Sequence, residues 1–558
     1  MSDSGTGRLV RSSSTVALGT GLSRITGMVR VVALAVAIGG GPLADAYNIA
    51  NYSPNIIYEL LLGGILSATL IPLFVESFEH GDEDGPSAVF SVAMISVVVI
   101  TVAAILAAPL LARIYASRLS DKKEAAQLEL VVPFLHLILP EILFYGVTAL
   151  ATAALNARRR FVAAAYAPVL NNLVVTAILI YLALTHTRTV AVTRGGRTVV
   201  EHGHALTTTV STVGDTTAGK LILGLGTTAG IAAMAIVLIP AMKRAGIRLR
   251  WLPDWRHPAV RRVARLSGWT VGYVAANQLA LFVVLALANG HGAGTPTAYQ
   301  NAFIYFQLPH GLIAVSVMTA ILPELSTAAA RQEMERFRSR FLTGLRLILV
   351  LVVPAAIGYV FLGGSVTQLF LRHGQYTAAD ARLAGRTLVA FAWGLPGFSV
   401  YLLALRGFYA LKDTRTPFWI NCAENGLNLV LAVALSSYGA PGLATAYAVA
   451  YGVFGVVAVV MLGRRIGGFG SEGVQRLVDQ ILRILAASAV MGLAIWLALP
   501  SGPLTGTADA FGAVLRGVVA GAIVFALAAR ALRLDGVEAA TAAIRRRLDG
   551  RTGRRPTP

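Results

Sequence analysis

Long apolar stretches alternate with short polar connections along almost the whole chain. About fourteen of these stretches reach the roughly 20 residues that a helix needs to cross the ~30 Å hydrocarbon layer of a bilayer. The pattern predicts an all-α integral membrane protein with about fourteen transmembrane helices, and no globular domain of comparable size. The predicted spans lie near residues 14–39, 46–75, 87–112, 129–155, 163–185, 220–242, 267–289, 298–324, 342–370, 386–410, 416–437, 441–463, 481–499 and 510–532.

Two short patterns recur at a distance of six predicted helices. Residues 67–73 (SATLIPL) resemble residues 318–324 (MTAILPE), and the Ala-Leu, basic, Pro, Asn order of residues 154–172 returns in residues 410–421. An even offset preserves orientation, so the repeat predicts two pseudo-symmetric six-helix lobes with a substrate path at their interface. Chance similarity between apolar segments is the alternative.

The repeat also predicts how the chain is divided. Two helices follow the second lobe, and a loop with strand-like alternation after the fifth span favours a hairpin on the outer side. The predicted parts are an N-terminal tail (1–13), an N-lobe (14–242, with the outer loop 186–219), a basic linker (243–266), a C-lobe (267–463), helices 13 and 14 (481–532) and a basic tail (533–558).

Charge is scarce and unevenly placed. Charged residues make up 13% of the chain, and 47 Lys and Arg against 27 Asp and Glu give a net charge of +20. Most basic residues fall in alternate connections, which predicts a multi-pass protein with both termini cytoplasmic. The acidic loop 76–86 and the basic loop near 113–123 do not fit this rule. Because the positive charge is spread over the loops between spans and the tail, we expect these segments to contact anionic lipids rather than nucleic acid.

Arg24 and Arg30 lie inside the first apolar stretch, where a charge costs about 2.5–3.5 kcal/mol on insertion scales. Six residues on a helix correspond to roughly 9 Å of rise and about 120° of rotation. Both side chains can therefore line one wide polar face and bind an anion. The alternative is a pair whose long side chains reach the membrane surface near a helix end.

Other polar residues also fall within the predicted spans, and each has a structural alternative. Asp45, Glu59, Glu141, Arg406 and Glu424 are the further ionisable groups, and Asp45 could simply cap a helix. Asn421, Glu424, Asn425 and Asn428 share one helix face, which suits a hard cation such as Na⁺ or a proton relay through Glu424. Interhelical hydrogen bonding explains these asparagines, and Asn277 with Gln278, equally well.

Enzyme chemistry has little support in the sequence. Cys422 is the single cysteine, so neither an intrachain disulfide nor a thiolate metal cluster can form. The outer loop offers only Glu201 and Asp215 as carboxylates for a membrane glycosyltransferase. We therefore expect a transporter without a catalytic cofactor.

Three ordered blocks resemble the MurJ/MviN family of lipid II flippases, within the multidrug/oligosaccharidyl-lipid/polysaccharide exporter superfamily. The resemblance covers about residues 14–470. The blocks are Ser23-Arg24…Gly27…Arg30 with Ala44-Asp45-Ala46-Tyr47…Pro54-Asn55; Leu155-Asn156…Arg160-Phe161…Pro168…Asn172; and Gly374-Gln375-Tyr376-Thr377-Ala378-Ala379-Asp380 followed by Gly407-Phe408-Tyr409-Ala410…Asp413-Thr414-Arg415-Thr416-Pro417.

The resemblance implies a flippase of the bacterial plasma membrane. Its substrate would be lipid II, the undecaprenyl-pyrophosphate-linked peptidoglycan precursor, moved by alternating access through a central cationic cavity. A cell-wall synthesis or division complex is a further expected partner. The predicted substrate-binding residues are Arg24, Arg30 and Asp45, which the resemblance implies, together with Ser23, Glu59, Asn172 and Gln278. The predicted Na⁺ ligands are Asn421, Asn425 and Thr445, which the resemblance implies, together with Glu424.

The chain departs from the family pattern at two places. Tyr58 and Glu59 stand where many members have two arginines, and Ile304 stands where another cavity arginine is expected. Members from high-GC Gram-positive bacteria resemble this chain in Tyr58…Gly63-Gly64 and in composition. A flippase or exporter of another polyprenyl-linked glycan or of a drug therefore stays an alternative, as does an inactive structural protein of cell-wall assembly.

Overall fold

The computed structural model describes residues 3–59, 70–191, 193–194, 197–198, 200–201, 204–205, 207–500, 502, 504 and 506–534. Side chains are described from residue 18 onward, except at positions 20, 57–58, 189–209 and 266–267. Several sequence predictions lie partly outside this range, among them the Gly63-Gly64 pair, the first residues of the 67–73 repeat and the basic tail from residue 535.

The chain folds into two compact units. The first comprises residues 1–297 and 371–380, and the second comprises residues 298–370 and 381–558. This division differs from the predicted lobes, because the seventh predicted span belongs to the first unit. The segment 371–380 also belongs to the first unit, although the helices that flank it belong to the second.

The first unit consists mainly of long apolar helices. Their bounds are α1 (Asp3–Ile38), α2 (Pro42–Tyr58), α3 (Ile71–Glu79), α4 (Asp84–Leu106), α5 (Ala108–Ala116), α6 (Asp121–Ile138), α7 (Glu141–Ala157), α8 (Phe161–Thr185), α9 (Thr217–Arg244) and α10 (Pro258–Asn289). Helix α1 already begins at Asp3, within the predicted N-terminal tail.

The second unit continues the all-α pattern. Helix α11 (Thr295–Pro309) begins at the end of the first unit and passes through a π-turn (His310–Ala314) into α12 (Val315–Ala330). The remaining helices are α13 (Met334–Leu371), α14 (Ala378–Ala410), α15 (Arg415–Leu435), α16 (Gly439–Arg465), α17 (Ser471–Ala498) and α18 (Thr507–Ala531), with a short 3₁₀ turn (Ser436–Tyr438) between α15 and α16.

Twelve stretches of the described residues are long and apolar enough to cross a membrane. One of them, Arg415–Arg465, holds both α15 and α16, which meet at Gly439 with a φ of +64°. These stretches correspond to thirteen of the predicted spans. The remaining predicted span (46–75) is described only as α2 and α3, because residues 60–69 between them lie outside the described range.

Two predicted spans are broken in the structure. The span predicted at 87–112 is divided at Ala107, and the span predicted at 129–155 is divided at Leu139 and Pro140. Pro109 and Pro140 explain both breaks, since proline lacks an N–H and clashes with the preceding turn of a helix.

The hairpin predicted within residues 186–219 is present, and its position on the outer side stays a prediction. Strand β1 (Thr187–Ala191) pairs antiparallel with β6 (Thr207–Ser211), with Thr187 opposite Ser211 and Ala191 opposite Thr207. Between them, β2 (Thr193–Arg194) pairs with β3 (Arg197–Thr198), and β4 (Val200–Glu201) pairs with β5 (His204–Ala205).

The most specific family block forms the loop that returns to the first unit. Gln375 N donates to Val36 O at 3.3 Å, and Gln375 Oε1 accepts from Ser211 N at 3.0 Å. Gly374 has a φ of +55°, and a Cβ there would lie 2.6 Å from Val36 O. A side chain at position 374 is therefore excluded by both backbone conformation and space. Thr377 and Asp380 then cap the start of α14, with Thr377 Oγ1 donating to Asp380 Oδ2 at 2.7 Å.

Candidate anion site on helix α1

The two arginines of helix α1 are both more exposed than the buried apolar residues that follow them. Arg24 is exposed and Arg30 is half-buried, whereas Val31, Ala33 and Ala35 on the same helix are buried. Among the described residues, no carboxylate lies within 4.0 Å of either guanidinium. Their donors are therefore available to an anionic ligand.

Helix α8 holds α1 in position. A Cβ on Gly19 would lie 2.9 Å from Ala165 Cβ, so glycine allows the two helices to approach closely. Asn172 of α8 donates from Nδ2 to Ser23 O at 3.0 Å and to Thr26 Oγ1 at 3.1 Å. Ser23 and Asn172, both predicted to contact substrate, are thus linked to each other, and they fix the helix turn that carries Arg24.

Replacing Asn172 by alanine should loosen the packing of α1 against α8. The change removes two hydrogen bonds from a buried amide, and we expect a loss of about 1–2 kcal/mol of stability. The midpoint of thermal unfolding of the purified protein measures it. Leu173→Ala on the same helix is the matched control, because Leu173 is 52% exposed. Equal midpoints for Asn172→Ala and the wild type would contradict this role.

A buried carboxylate lies near Arg30. Glu141, at the start of α7, is fully buried, and its Oε2 has no hydrogen-bond partner among the described residues. Its Oε1 is 3.5 Å from Thr228 Oγ1, whose proton goes to Leu137 O at 2.7 Å. The charge of Arg30 acts on Glu141 and also on Tyr47 and Tyr52. Arg30 is therefore the main cation available to offset Glu141.

The tyrosines of α2 complete the surroundings of Arg30. Tyr47 is buried, and its hydroxyl forms a hydrogen bond of 3.1 Å with Thr227 Oγ1 on α9. Sequence reasoning did not connect Tyr47, Tyr52 or Glu141 with Arg30. The one available signal was an acidic residue directly after Pro140 in an apolar stretch, which identified Glu141 as an intramembrane charge but gave no partner.

Asp45 is engaged in a different set of contacts. Its carboxylate is 3% exposed and accepts from Gly294 N at 2.6 Å, Thr297 N at 3.1 Å and Thr297 Oγ1 at 2.7 Å. Asn48 also donates to Thr297 Oγ1 at 3.1 Å. Asp45 thus caps the first turn of α11 rather than its own helix, where a negative charge is also favoured by the helix dipole.

The structure shows fewer contacts for the other residues that are predicted to bind substrate. Glu59 is half-buried at the C-terminal end of α2, and its N–H bonds back to Asn55 O and Ile56 O. Gln278 is half-buried in α10. The side chain of Tyr58 lies outside the described range. Among the described residues, no hydrogen bond or ion pair connects Glu59 or Gln278 with Arg24 or Arg30.

The predicted cation row lies in the second unit. Asn421, Glu424, Asn425 and Asn428 are all buried along α15, and Asn425 Nδ2 donates to Asn421 O at 2.9 Å. Neither oxygen of Glu424 has a hydrogen-bond partner among the described residues. Thr445 is different: it is exposed on α16, and its hydroxyl donates to Pro441 O at 2.8 Å. Four buried side-chain amides and carboxylates supply the oxygen atoms that hard cations prefer.

The geometry of the first unit suits recognition of a multivalent anion. Two guanidiniums on one helix supply forked donors that match phosphate oxygens. Of the described residues, no group of three or more His, Cys, Asp or Glu has a metal-binding arrangement.

Comparison with known proteins decides the family. The model of the family described as "Lipid II flippase MurJ" matches residues 34–503. The chain belongs to the MurJ family. The match begins just after Arg30, so both arginines precede the MurJ-matched range.

Individual MurJ relatives agree over most of their length. The protein called "Probable lipid II flippase MurJ" from Rhizobium meliloti (strain 1021) is 29% identical over 505 residues, 88% of each chain. "Lipid II flippase MurJ" from Burkholderia cenocepacia is 25% identical, covering 77% of this chain and 78% of its own.

Solved structures agree on the fold. "Lipid II flippase MurJ, inward closed conformation" has a TM-score of 0.72 at 21% identity, covering 93% of this chain and 99% of its own. A multidrug resistance MATE family transporter of the MOP superfamily, in an inward-facing conformation, has a TM-score of 0.61 at 12% identity, covering 80% and 95%. The all-α multi-pass membrane fold that the apolar pattern predicts is confirmed.

Proposed function

We propose that this protein moves lipid II from the inner to the outer leaflet of the bacterial plasma membrane. Membership in the MurJ family supports the substrate, and the two unpaired arginines on α1 carry the proposal at the level of residues. A pyrophosphate cannot cross about 30 Å of hydrocarbon without polar partners. Arg24 and Arg30 supply such partners within a membrane-spanning helix.

The proposed mechanism follows from charge. The guanidiniums of Arg24 and Arg30 bind the pyrophosphate oxygens through charge-assisted hydrogen bonds, while the lipid tail stays in the bilayer. The cavity then opens to the other side by alternating access. No covalent step is required, so the protein acts as a transporter and not as an enzyme.

After the substrate is released, the empty site needs a driving force to return to the side on which it binds substrate. A membrane potential of 100 mV supplies about 2.3 kcal/mol for each charge moved across it. The buried oxygens of Asn421, Glu424 and Asn425 provide a second route, in which Na⁺ or a proton binds to α15. The Thr445 hydroxyl donates its proton to Pro441 O, which leaves the lone pairs of its oxygen available to a cation.

Topology and partners belong to the same proposal. The basic connections between spans favour cytoplasmic positions for both termini. They also favour contact with anionic lipids of the inner leaflet. A cell-wall synthesis or division complex would place the flippase beside the enzymes that use its substrate.

Expression in a bacterial strain depleted of its own lipid II flippase tests the proposed function. We expect growth, together with the appearance of lipid II in the outer leaflet. Repeating the assay with and without a Na⁺ gradient, at constant membrane potential, tests the α15 route. Absence of both growth and flipping, with the protein present in the membrane, would contradict the proposal.

A second candidate substrate rests on three positions. Tyr58, Glu59 and Ile304 lack the positive charge that many family members have there. Fewer cations suit a lipid carrier with a different phosphate content or glycan. Transport of another polyprenyl-linked glycan in the same assay, without transport of lipid II, would favour this candidate.

A further inference from the structure

A second basic feature of the first unit lies away from Arg24 and Arg30, beside a cavity of about 430 Å³. The cavity has an apolar wall from α3, α7 and α8. Its lining consists of Ile71, Val75, Phe78, Glu79, Asn156, Ala157, Arg158, Arg159 and Phe161. Ligand sites in proteins commonly have volumes of about 300–1,000 Å³.

The turn between α7 and α8 fixes the arginines at the cavity. Arg159 N donates to Asn156 O at 2.9 Å and Arg160 N donates to Leu155 O at 2.8 Å, which closes the end of α7. Arg159 has a φ of +56° at this closure. The guanidinium carbon of Arg158 lies 4.3 Å from the centre of the Phe78 ring, so a cation–π contact holds this side chain against α3.

The residues that line the cavity carry a small net positive charge. Arg158 and Arg159 face one lining carboxylate, Glu79, which leaves a net charge of +1. The other acidic residue of α3, Glu76, pairs with Arg262 at 2.8 Å. Among the described residues, neither Arg158 nor Arg159 has an ion pair. A ligand with a single negative charge would neutralise the site.

The position of the cavity indicates where that ligand comes from. Helices α7 and α8 are consecutive membrane spans, so the turn that joins them lies at a membrane surface. Apolar side chains form most of the wall, and the charged groups lie at one end. This arrangement complements a molecule with one phosphodiester and an attached hydrocarbon part.

We propose that this cavity binds the headgroup region of a phospholipid with one negative charge, of the phosphatidylglycerol type. Arg158 and Arg159 bind the phosphodiester, and Val75, Phe78 and Ala157 contact the glycerol and the first methylene groups. The site is distinct from the proposed pyrophosphate site, and it does not depend on lipid II transport.

Native mass spectrometry of the purified full-length protein tests the site by counting bound dioleoyl-phosphatidylglycerol during a lipid titration. The double variant Arg158→Gln/Arg159→Gln should bind one lipid fewer, or bind it about tenfold more weakly. Glutamine suits the turn, because Gln332 has a φ of +58° in this chain. A second variant, Ala157→Phe, fills the cavity without a change of charge and should cause the same loss.

The matched control changes an equal number of exposed arginines at another helix end. Arg464→Gln/Arg465→Gln, at the end of α16, should bind the wild-type number of lipids. Equal losses in both double variants would overturn the proposal, because total charge would then explain the binding. Equal binding of dioleoyl-phosphatidylcholine, or displacement of the lipid by inorganic phosphate, would also overturn it. Flipping of lipid II is measured separately, so a failed site leaves the proposed function intact.

Discussion

Replacing Arg30 by glutamine is expected to abolish rescue of a flippase-depleted strain while the protein still reaches the membrane. Glutamine keeps much of the length of the side chain but removes the charge and the forked donors. A charge-assisted hydrogen bond contributes about 1.5–3 kcal/mol. The loss corresponds to roughly 10- to 150-fold weaker binding of the pyrophosphate. Arg24→Gln should have a similar effect, since its guanidinium is also without an ion pair among the described residues.

A second buried polar position of the first unit provides the control for this prediction. Glu141→Gln keeps the size of a fully buried side chain and leaves both α1 arginines in place, so binding of the anion should be maintained. Growth rescue, lipid II in the outer leaflet and membrane abundance are measured for each variant, with Arg464→Gln as an exposed basic control. Full rescue by both Arg24→Gln and Arg30→Gln would disprove the role of the α1 arginines.

Replacing Asp45 by alanine should destabilise the protein more than any other single change considered above. Three donors, Gly294 N, Thr297 N and Thr297 Oγ1, lose their acceptor at a buried position. An unsatisfied buried donor costs about 1–3 kcal/mol. Structural relaxation around the three donors reduces their summed cost, and we expect the free energy of unfolding to fall by about 3–5 kcal/mol. Asp45→Asn keeps one acceptor oxygen and should be intermediate.

Thermal unfolding and flipping together separate two roles for Asp45. If Asp45 caps α11, the substitution Asp45→Ala lowers the unfolding midpoint and flipping together. If Asp45 instead contacts the substrate, Asp45→Ala lowers flipping in a protein of normal stability. Glu472→Ala is the control, because Glu472 is exposed and its pair with Arg476 at 3.3 Å has little energetic weight. A normal midpoint for Asp45→Ala would contradict the capping role.

The sequence was informative wherever the signal is local. Apolar length predicted the spans, alternation predicted the β1–β6 hairpin, and the cost of charge in a membrane singled out Arg24 and Arg30. The breaks at Ala107 and at Leu139–Pro140 were missed because hydropathy averaged over about 20 residues does not register a single proline. The lobe boundaries, the binding roles of the site residues and the Na⁺ site stay predictions.

Partners distant in sequence could not be predicted in the same way. Asp45 meets Gly294 and Thr297 across about 250 residues, and no local pattern distinguishes an acid that caps its own helix from one that caps another. Asn172 and Ser23 were each selected as substrate contacts, yet their link depends on the closeness of α1 and α8. Glu141 was recognised as costly, but its relation to Arg30 exists only once α7 packs against α2 and α8, and α8 packs against α1.

The loop 371–380 has a consequence for how this polypeptide can be divided. Because these ten residues complete the first unit, the chain passes from one unit to the other at residues 297–298, 370–371 and 380–381. A fragment that ends at residue 297 would lack Gln375, and with it the bonds to Val36 and Ser211. Translation must therefore proceed well past the middle of the message before the first unit can be complete.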